Sequence, residues 1–530
     1  MGAKGIPDRT NDVVFVDPEP KADHYLKRPS WRKPPAPEIV EEERKEIRSR
    51  PLKANLQSIR SAIRDQPLRD HDNIYFVMEL SPSTSISQLN MVLERLQASV
   101  HAYLDRRNDV ALISVSEPEL DEYSETELPQ YVKEPVLRFR QLTRQEKVSS
   151  NFPGREDGPT EVMIHLMPNP SQSIIDRYAS QIAGFLESRE GSVEWRSSWE
   201  DAMIAVRMPG RTAEELVFNS NTIMRAHALT KGTLTQLGSR RASRIRSGMS
   251  SVQNVPVTEL PTVCVIDSGV SVIEPLRDLI VDRQKFQNYF QNLDDEGPPE
   301  GHGTAVASLA ALGERPGTPR ARIISYKVIS ETVNRVAALG AREALAHFTD
   351  CRIFNMSIRY YDEDLVELAK LDNLIQRRNV CFVCAAGNIN DDEKHADDPD
   401  YPDYITRYQV AHPAQNPDIL AVGAISTRTD DHSIAPVNSV SPFSRCGRTL
   451  PLLYDVAKPD VVEHGGNRHF DGSFLGLGVQ TFRKNGDPVE IIGTSMAAPL
   501  VSGQLAEIAR KYGTAASNAE TLSALLLSSL

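Results

Sequence analysis

Residues 491–501 read Ile-Ile-Gly-Thr-Ser-Met-Ala-Ala-Pro-Leu-Val, a serine among small side chains at the opening of a helical stretch. Ser495 is flanked by Gly493, Ala497 and Ala498, which lack the bulk to keep a substrate backbone away from its hydroxyl. Pro499 is expected in the first turn of that helix, where a missing N–H bonds nothing anyway. A serine hydroxyl attacks a carbonyl near neutral pH only if a base takes its proton and a carboxylate orients and supports that base. Gly301-His302-Gly303-Thr304 places a histidine at the start of a helix packed through Ala305, Val306 and Ala307. Residues 262–266 form a β-branched run ending in Asp267-Ser268-Gly269. That run puts an aspartate at the carboxyl end of a buried strand, the edge of an open parallel sheet where sites are built. The apolar stretch 381–386 ends in Gly387-Asn388, whose amide can donate to a developing oxyanion together with the backbone N–H of Ser495. Taken singly, Asp267 reads more readily as a helix cap, His302 as a packed helix-start histidine and Asn388 as a turn residue than as catalytic groups. One shared site explains all of them together.

In that order, D-S-G, G-H-G-T, A-A-G-N and G-T-S-M-A-A-P resemble the subtilisin-like serine proteases, the subtilases, whose chain order is Asp, His, Ser. Weaker likenesses lie between them: Asn355-Met356-Ser357 resembles the strand that pairs with the substrate backbone, residues 441–444 the S-x-F-S turn, and Lys458-Pro459-Asp460-Val461-Val462 the K-P-D-V-V segment. The likeness covers residues 255–530. It implies an α/β fold, a subtilisin-like parallel sheet with helices on both faces, and hydrolysis of protein or peptide substrates. His302 would take the proton of Ser495, Asp267 would orient the imidazole, and Asn388 with the amide of Ser495 would hold the oxyanion. Ser357, Ile358, Arg359 and Gly387 would line the substrate. This chemistry needs no metal and no organic cofactor. The rival class is a binding or scaffold protein on a catalytically silent subtilase fold.

The chain also departs from the family. After Asn355-Met356-Ser357 a small Leu-Gly pair is usual, whereas Ile358-Arg359 stands here. An arginine there would narrow the pocket or favour an acidic side chain. Pulling the other way, the stretch after Asn388 carries Asp391, Asp392, Glu393, Asp397, Asp398, Asp400 and Asp403. Such a run reads as a solvated loop, a calcium site built from clustered carboxylates, or a wall selecting basic substrates. The side-chain preference stays open.

Composition narrows the class further. A formal net charge of −12 over 530 residues argues against a general nucleic-acid binder. An apolar content of 40% with 6% aromatics is ordinary for an α/β protein. No run approaches the roughly 18 apolar residues of a membrane span. Met1 to Arg9 lack the apolar core of a secretory signal, and the five cysteines are odd in number and scattered, which suits free thiols in a reducing cytoplasm. Cys381 and Cys384 form a C-x-x-C inside an apparent strand, where they point to opposite faces.

The elements that must position the site divide the chain into zones. Residues 1–70 read as an extended polar arm with one helix at most, carrying the proline run 32–37 and the charged run 41–50. Residues 71–155 read as a small α/β module: a strand at 74–80, a helix at 86–104, a strand at 109–114. Residues 156–230 repeat the pattern as strand 161–167, helix 174–186, strands 192–195 and 202–206, and helix 213–224. This order resembles the α+β, ferredoxin-like prodomain that many subtilases carry, a module that chaperones folding and blocks the site. Residues 231–255 read as a basic linker, with 237–247 as a flexible connection or a self-processing site. Within 256–530, apolar runs at 262–266, 322–328, 351–356, 380–386 and 419–423 alternate with helical patterns such as 333–348, which argues for a covered parallel sheet. The stretch 519–530 reads as a helix, and family members usually continue beyond it. Taken together, the chain is expected to be a cytoplasmic bacterial endopeptidase restrained as a zymogen by its N-terminal region. By analogy with long-armed intracellular subtilases, an AAA ATPase is the expected regulatory partner.

Overall fold

The computed structural model describes residues 52–529 apart from short segments, the longer of which are 104–109, 154–157, 168–171, 198–201, 242–254, 361–364 and 449–455. The proline run 32–37, the charged run 41–50 and most of the basic stretch 237–247 lie outside the described residues. The chain divides into two compact units, Met1–Leu229 and Thr230–Leu530.

The first unit begins with helix α1 (Leu52–Arg64), whose Leu52, Leu56, Ile59 and Ile63 are buried on one face. Helix α1 therefore belongs to the first module and not to an arm, because spacing of three and four residues gives it an apolar stripe to bury. Then follow β1 (Ile74–Leu80), α2 (Ile86–Leu96), β2 (Ser99–Tyr103), β3 (Val110–Val115), α3 (Glu117–Glu125) and β4 (Val136–Arg140). The helix expected over 86–104 stops at Gln97, which adopts the left-handed conformation (φ 45°) and closes the helix end. The residues beyond it form a strand instead. Antiparallel pairing gives the order β2-β3-β1-β4.

The second module repeats this plan with β5 (Pro159–Leu166), α4 (Gln172–Glu187), β6 (Ser192–Arg196), β7 (Met203–Pro209), α5 (Gly210–Phe218) and β8 (Ile223–Ala228), in the order β6-β7-β5-β8. Both modules are thus β-α-β-β-α-β units with the same strand order, the ferredoxin-like arrangement. The helix expected over 213–224 ends at Phe218, where the polar run Asn219-Ser220-Asn221-Thr222 breaks it, and Ile223 onward supplies the sixth element. The outward face of the first sheet, with Tyr75, Val77 and Leu112, shares one apolar cluster with Ile175, Tyr178, Ile182 and Leu216 of the second module. Its other face, with Ile74, Phe76 and Met78, packs on α1 to α3.

The second unit opens where a linker was expected. Gly232–Leu234 form strand β9 and Gly238–Arg241 form strand β10. Next come β11 (Thr262–Asp267), β12 (Ile280–Lys285), α6 (His302–Leu312), β13 (Arg322–Lys327), α7 (Ala337–His347), β14 (Ile353–Met356), β15 (Ile358–Tyr360), α8 (Leu365–Arg378), β16 (Cys381–Ala385) and β17 (Ile419–Ser426). The remaining elements are β18 (Ser439–Val440), the ribbon β19 (Gly447–Arg448) with β20 (Ala457–Lys458), β21 (Val461–His464), β22 (Val479–Phe482), β23 (Pro488–Ile492), α9 (Thr494–Tyr512) and α10 (Ala519–Ser529). The main sheet runs β12-β13-β11-β14-β16-β17, all parallel, with β21 parallel beside β17. Strand β12 escaped the apolar-run criterion because it is an edge strand, Ile-Val-Asp-Arg-Gln-Lys, with one flank in solvent.

Helix α6 is buried along its whole length and α9 through its first ten residues. Both lie in the cluster that covers one face of β11, β14, β16 and β17. They touch where Gly503 meets Ala310: a Cβ on Gly503 would stand 2.7 Å from the Ala310 carbonyl oxygen, so no larger residue allows this approach. Gly503 and Ala310 are equally far along their helices from Ser495 and His302, so the two residues sit on helix arms of equal length.

Candidate active site

Asp267 closes β11, Ser357 follows β14 and Asn388 follows β16, so three adjacent parallel strands deliver them to the same carboxyl edge. His302, the first residue of α6, reaches back to that edge, with Nδ1 2.7 Å from Asp267 Oδ1. A carboxylate can only accept, so the proton sits on Nδ1 and Nε2 carries the lone pair. Both residues are fully buried. Ser495 Oγ and His302 Nε2 are likewise buried, and neither has a hydrogen-bond partner.

The start of α6 follows from what surrounds it. Its cap residue, Gly301, offers no side chain. Ser268 Oγ accepts from the Gly303 N–H (3.0 Å), and Asp295 Oδ2 accepts from the Thr304 N–H (2.6 Å), so two residues from other segments satisfy the helix end. Ser268 Oγ donates to Asp295 Oδ1 (2.8 Å) and lies 3.1 Å from Asp267 Oδ1. Burial pushes the Asp295 carboxyl up, against the N–H groups and hydroxyls bonded to it. Gly303 has its own reason: a Cβ there would stand 2.1 Å from the Gly269 carbonyl.

At the start of α9, Pro499 is not in the first turn but inside the helix. A residue at that position would normally donate to the carbonyl of Ser495, four residues earlier; proline has no N–H to give. Ser357 Oγ supplies the missing donor, at 3.1 Å from Ser495 O. Behind it, Asn355 Nδ2 donates to Ser357 Oγ (3.3 Å) and Ser502 Oγ donates to Asn355 Oδ1 (2.9 Å), a buried chain that anchors the turn carrying Ser495.

Asn388 is held from several sides. Thr494 donates both its N–H (2.9 Å) and its hydroxyl (3.0 Å) to Asn388 Oδ1, which turns Nδ2 the other way. The Gly387 N–H donates to Thr494 Oγ1 (3.2 Å). The main-chain carbonyl of Asn388 accepts from Arg359 Nη1 (3.1 Å) and from Arg445 Nε (2.9 Å). Ile358 and Arg359 lie on β15, which pairs antiparallel with β9: Ile358 faces Leu234, Arg359 faces Thr233 and Tyr360 faces Gly232. The structure therefore gathers all eight sequence-predicted residues around one edge. Asp295 and Arg445 were missed, since each acts through partners distant in the chain, while Ser268, Thr494 and Glu393 stood in the quoted motifs or the acidic run without these roles.

The profile of the Subtilase family matches residues 259–530, just over half of the chain. The chain belongs to the subtilase family. This subtilase is a subtilisin-like serine peptidase of the mixed α/β class. It is 27% identical over 263 residues to the major intracellular serine protease of Bacillus subtilis (strain 168), a match spanning 46% of this chain and 67% of that protein. Its fold is similar to that of the epidermin leader peptide processing serine protease EpiP from Staphylococcus aureus, with a TM-score of 0.51 and 18% identity, covering 70% of this chain and 93% of that one.

The acidic stretch of this subtilase is mostly paired. Asp391 meets Arg468 (2.8 Å), Asp398 meets Arg407 (3.0 Å), and Glu393 bridges Arg359 and Arg445 (3.2 and 2.6 Å). Among the described residues no three or more His, Cys, Asp or Glu side chains gather as a metal site would require. All five cysteines are free thiols. Burial pushes Cys351 and Cys381 up to about 11, which keeps them as thiols. Among the described residues no helix is long and apolar enough to cross a membrane.

Proposed function

We propose that this subtilase is an endopeptidase in which Ser495 is the nucleophile and His302 the general base. As Ser495 Oγ bonds to the carbonyl carbon of the substrate, its proton passes to His302 Nε2, and Asp267 stabilises the imidazolium that forms. The carbonyl oxygen, now negative, takes hydrogen bonds from Asn388 Nδ2 and from the Ser495 N–H. His302 returns the proton to the leaving amine. Water then adds to the acyl-enzyme by the same route in reverse and releases the second product. The observation that carries this reading is the 2.7 Å contact between His302 Nδ1 and Asp267, which leaves a basic Nε2 buried at the strand edge where Ser495 opens its helix. A fluorophosphonate probe tests it. Covalent labelling of the chain that disappears in Ser495→Ala supports the enzyme, and equal labelling of both, or no labelling under any activating condition, sinks it in favour of a silent scaffold.

The same geometry supports restraint by the region upstream. An extended peptide can bind by adding a strand to an exposed sheet edge, and β9 of this chain already lies on β15. On its other side the Gly232 N–H donates to Asn334 O. Strand β10 runs antiparallel along β23, which leads into Ser495. Upstream segments of the chain thus pair with the strand that follows Ser357 and with the strand that leads into Ser495. In this register Gly238 faces Ile492 and Arg241 faces Val489, so the arginines run away from Ser495, which disfavours self-cleavage among them within one molecule. The substrates are proteins or peptides. We read the site of action as the cytoplasm, from the free thiols and the likeness to an intracellular protease.

A further inference from the structure

Arg359 stands where the family resemblance leads one to expect a small residue, and it is not a surface charge: only 3% of it is exposed. Its guanidinium lies against the main-chain carbonyl of Asn388 (3.1 Å) and against Glu393 Oε1 (3.2 Å). Arg445, one residue after Ser444, reaches the same two groups, Nε to Asn388 O at 2.9 Å and Nη2 to Glu393 Oε2 at 2.6 Å. It also donates to Gln409 O (3.2 Å). Glu393 is held in turn by the Asn390 N–H (2.9 Å). Burial pushes its carboxyl up, but that N–H and the two guanidiniums outweigh burial and keep it below its usual value. Arg359 and Glu393 of the acidic stretch, which pull substrate preference in opposite directions on paper, pair with each other in space.

The target of this cluster matters more than its charge. A carbonyl oxygen has two lone pairs, and here both are taken by charged donors from two segments. The Asn388 side chain is fixed separately by Thr494. Replacing a buried ion cluster by apolar side chains is often neutral for stability, so holding the fold together does not by itself explain such an arrangement. An oxyanion donor, by contrast, works only if it is already in place when charge develops.

We propose that Arg359, Arg445 and Glu393 are positioning residues for Asn388, locking the peptide that carries the oxyanion donor. This rests on the serine-peptidase reading above.

The test is a double-mutant cycle read by fluorophosphonate labelling, with the rate at saturation and the half-saturating concentration measured separately, in the full chain carrying Thr233→Pro. Arg359→Met is expected to slow the saturated rate by about 10- to 100-fold, the scale of a donor displaced by ~1 Å, while half-saturation moves less than about twofold. In an Asn388→Ala background, itself slowed about 100-fold or more, a magnitude that comes from subtilisin, a member of this family, the same substitution should add almost nothing. Arg359→Lys should recover part of the loss. Equal losses in both backgrounds, or an unchanged rate in Arg359→Met, overturn the positioning role. A chain that labels under no condition overturns the peptidase reading beneath it. Should Arg359→Met fail to fold, Glu393→Gln and Arg445→Lys complete the same cycle.

Discussion

At the scale of single residues, the chemistry depends on groups that never touch substrate. Asp295 is the clearest case. It takes the Thr304 N–H at the start of α6 and the hydroxyl of Ser268 beside Asp267, so it fixes the histidine and the aspartate relative to each other. Asp295→Asn is expected to slow fluorophosphonate labelling by at least about tenfold, because the imidazole then loses its fixed approach to Ser495. It should also change how stability depends on pH. Burial raises the Asp295 carboxyl above its unfolded value. Its favourable contribution is therefore complete below the ordinary carboxylate range and fades as pH rises through the raised value. In the asparagine variant that decline should vanish from urea melts; an identical slope in both proteins would remove the assignment. Asp267, His302, Asn388 and Ser495 could be proposed from the sequence because their short motifs occur together and in one order, although each singly has a blander reading. Asp295 could not, since nothing in Asp294-Asp295-Glu296 says which carboxylate turns inward.

At the scale of elements, the departures from expectation have physical causes. Pro499 reads as a first-turn proline, yet the structure places it deeper, and the carbonyl it leaves without an N–H is the one Ser357 occupies. Residues 231–255 read as linker by composition, yet two short strands form there, because pairing with β15 and β23 supplies what local propensity does not. If β9 restrains the enzyme, Thr233→Pro, which removes a backbone donor from that strand, should speed labelling about fivefold or more, the worth of roughly one hydrogen bond. Unchanged labelling would argue that β9 leaves the site open. Strand β2 offers a separate check. Burial pushes His101 down to about 4, with Nε2 against Ser114 Oγ at 2.7 Å. The unfolded chain then takes up a proton that the folded one refuses, so stability is lost as pH falls from about 6.5 toward 4, at no more than ~1.4 kcal/mol per pH unit. His101→Gln should flatten denaturant midpoints across that window, and a persistent slope would place the titration elsewhere.

At the scale of the whole molecule, the parallel sheet was readable because its central strands are buried on both faces and appear as unbroken apolar runs, while β12, at the edge, does not. The repeat in the first unit was visible as a recurring pattern, but its completeness was not. Ile223 and Met224, at the start of β8, were read into the preceding helix across the polar turn 219–222, and α1 sits in a stretch that polar composition assigned to an arm. Only tertiary packing shows two modules of one topology, and only tertiary packing shows that they share an interior.

That shared interior has a consequence for how the first unit melts. Tyr75, Val77 and Leu112 of one module are inseparable from the helices of the other, so neither half owns a complete boundary against water. Heating or denaturant should therefore take both in a single cooperative transition, and trimming the chain to the second repeat would strip its helices of their cover and leave a sticky fragment in place of a smaller working part.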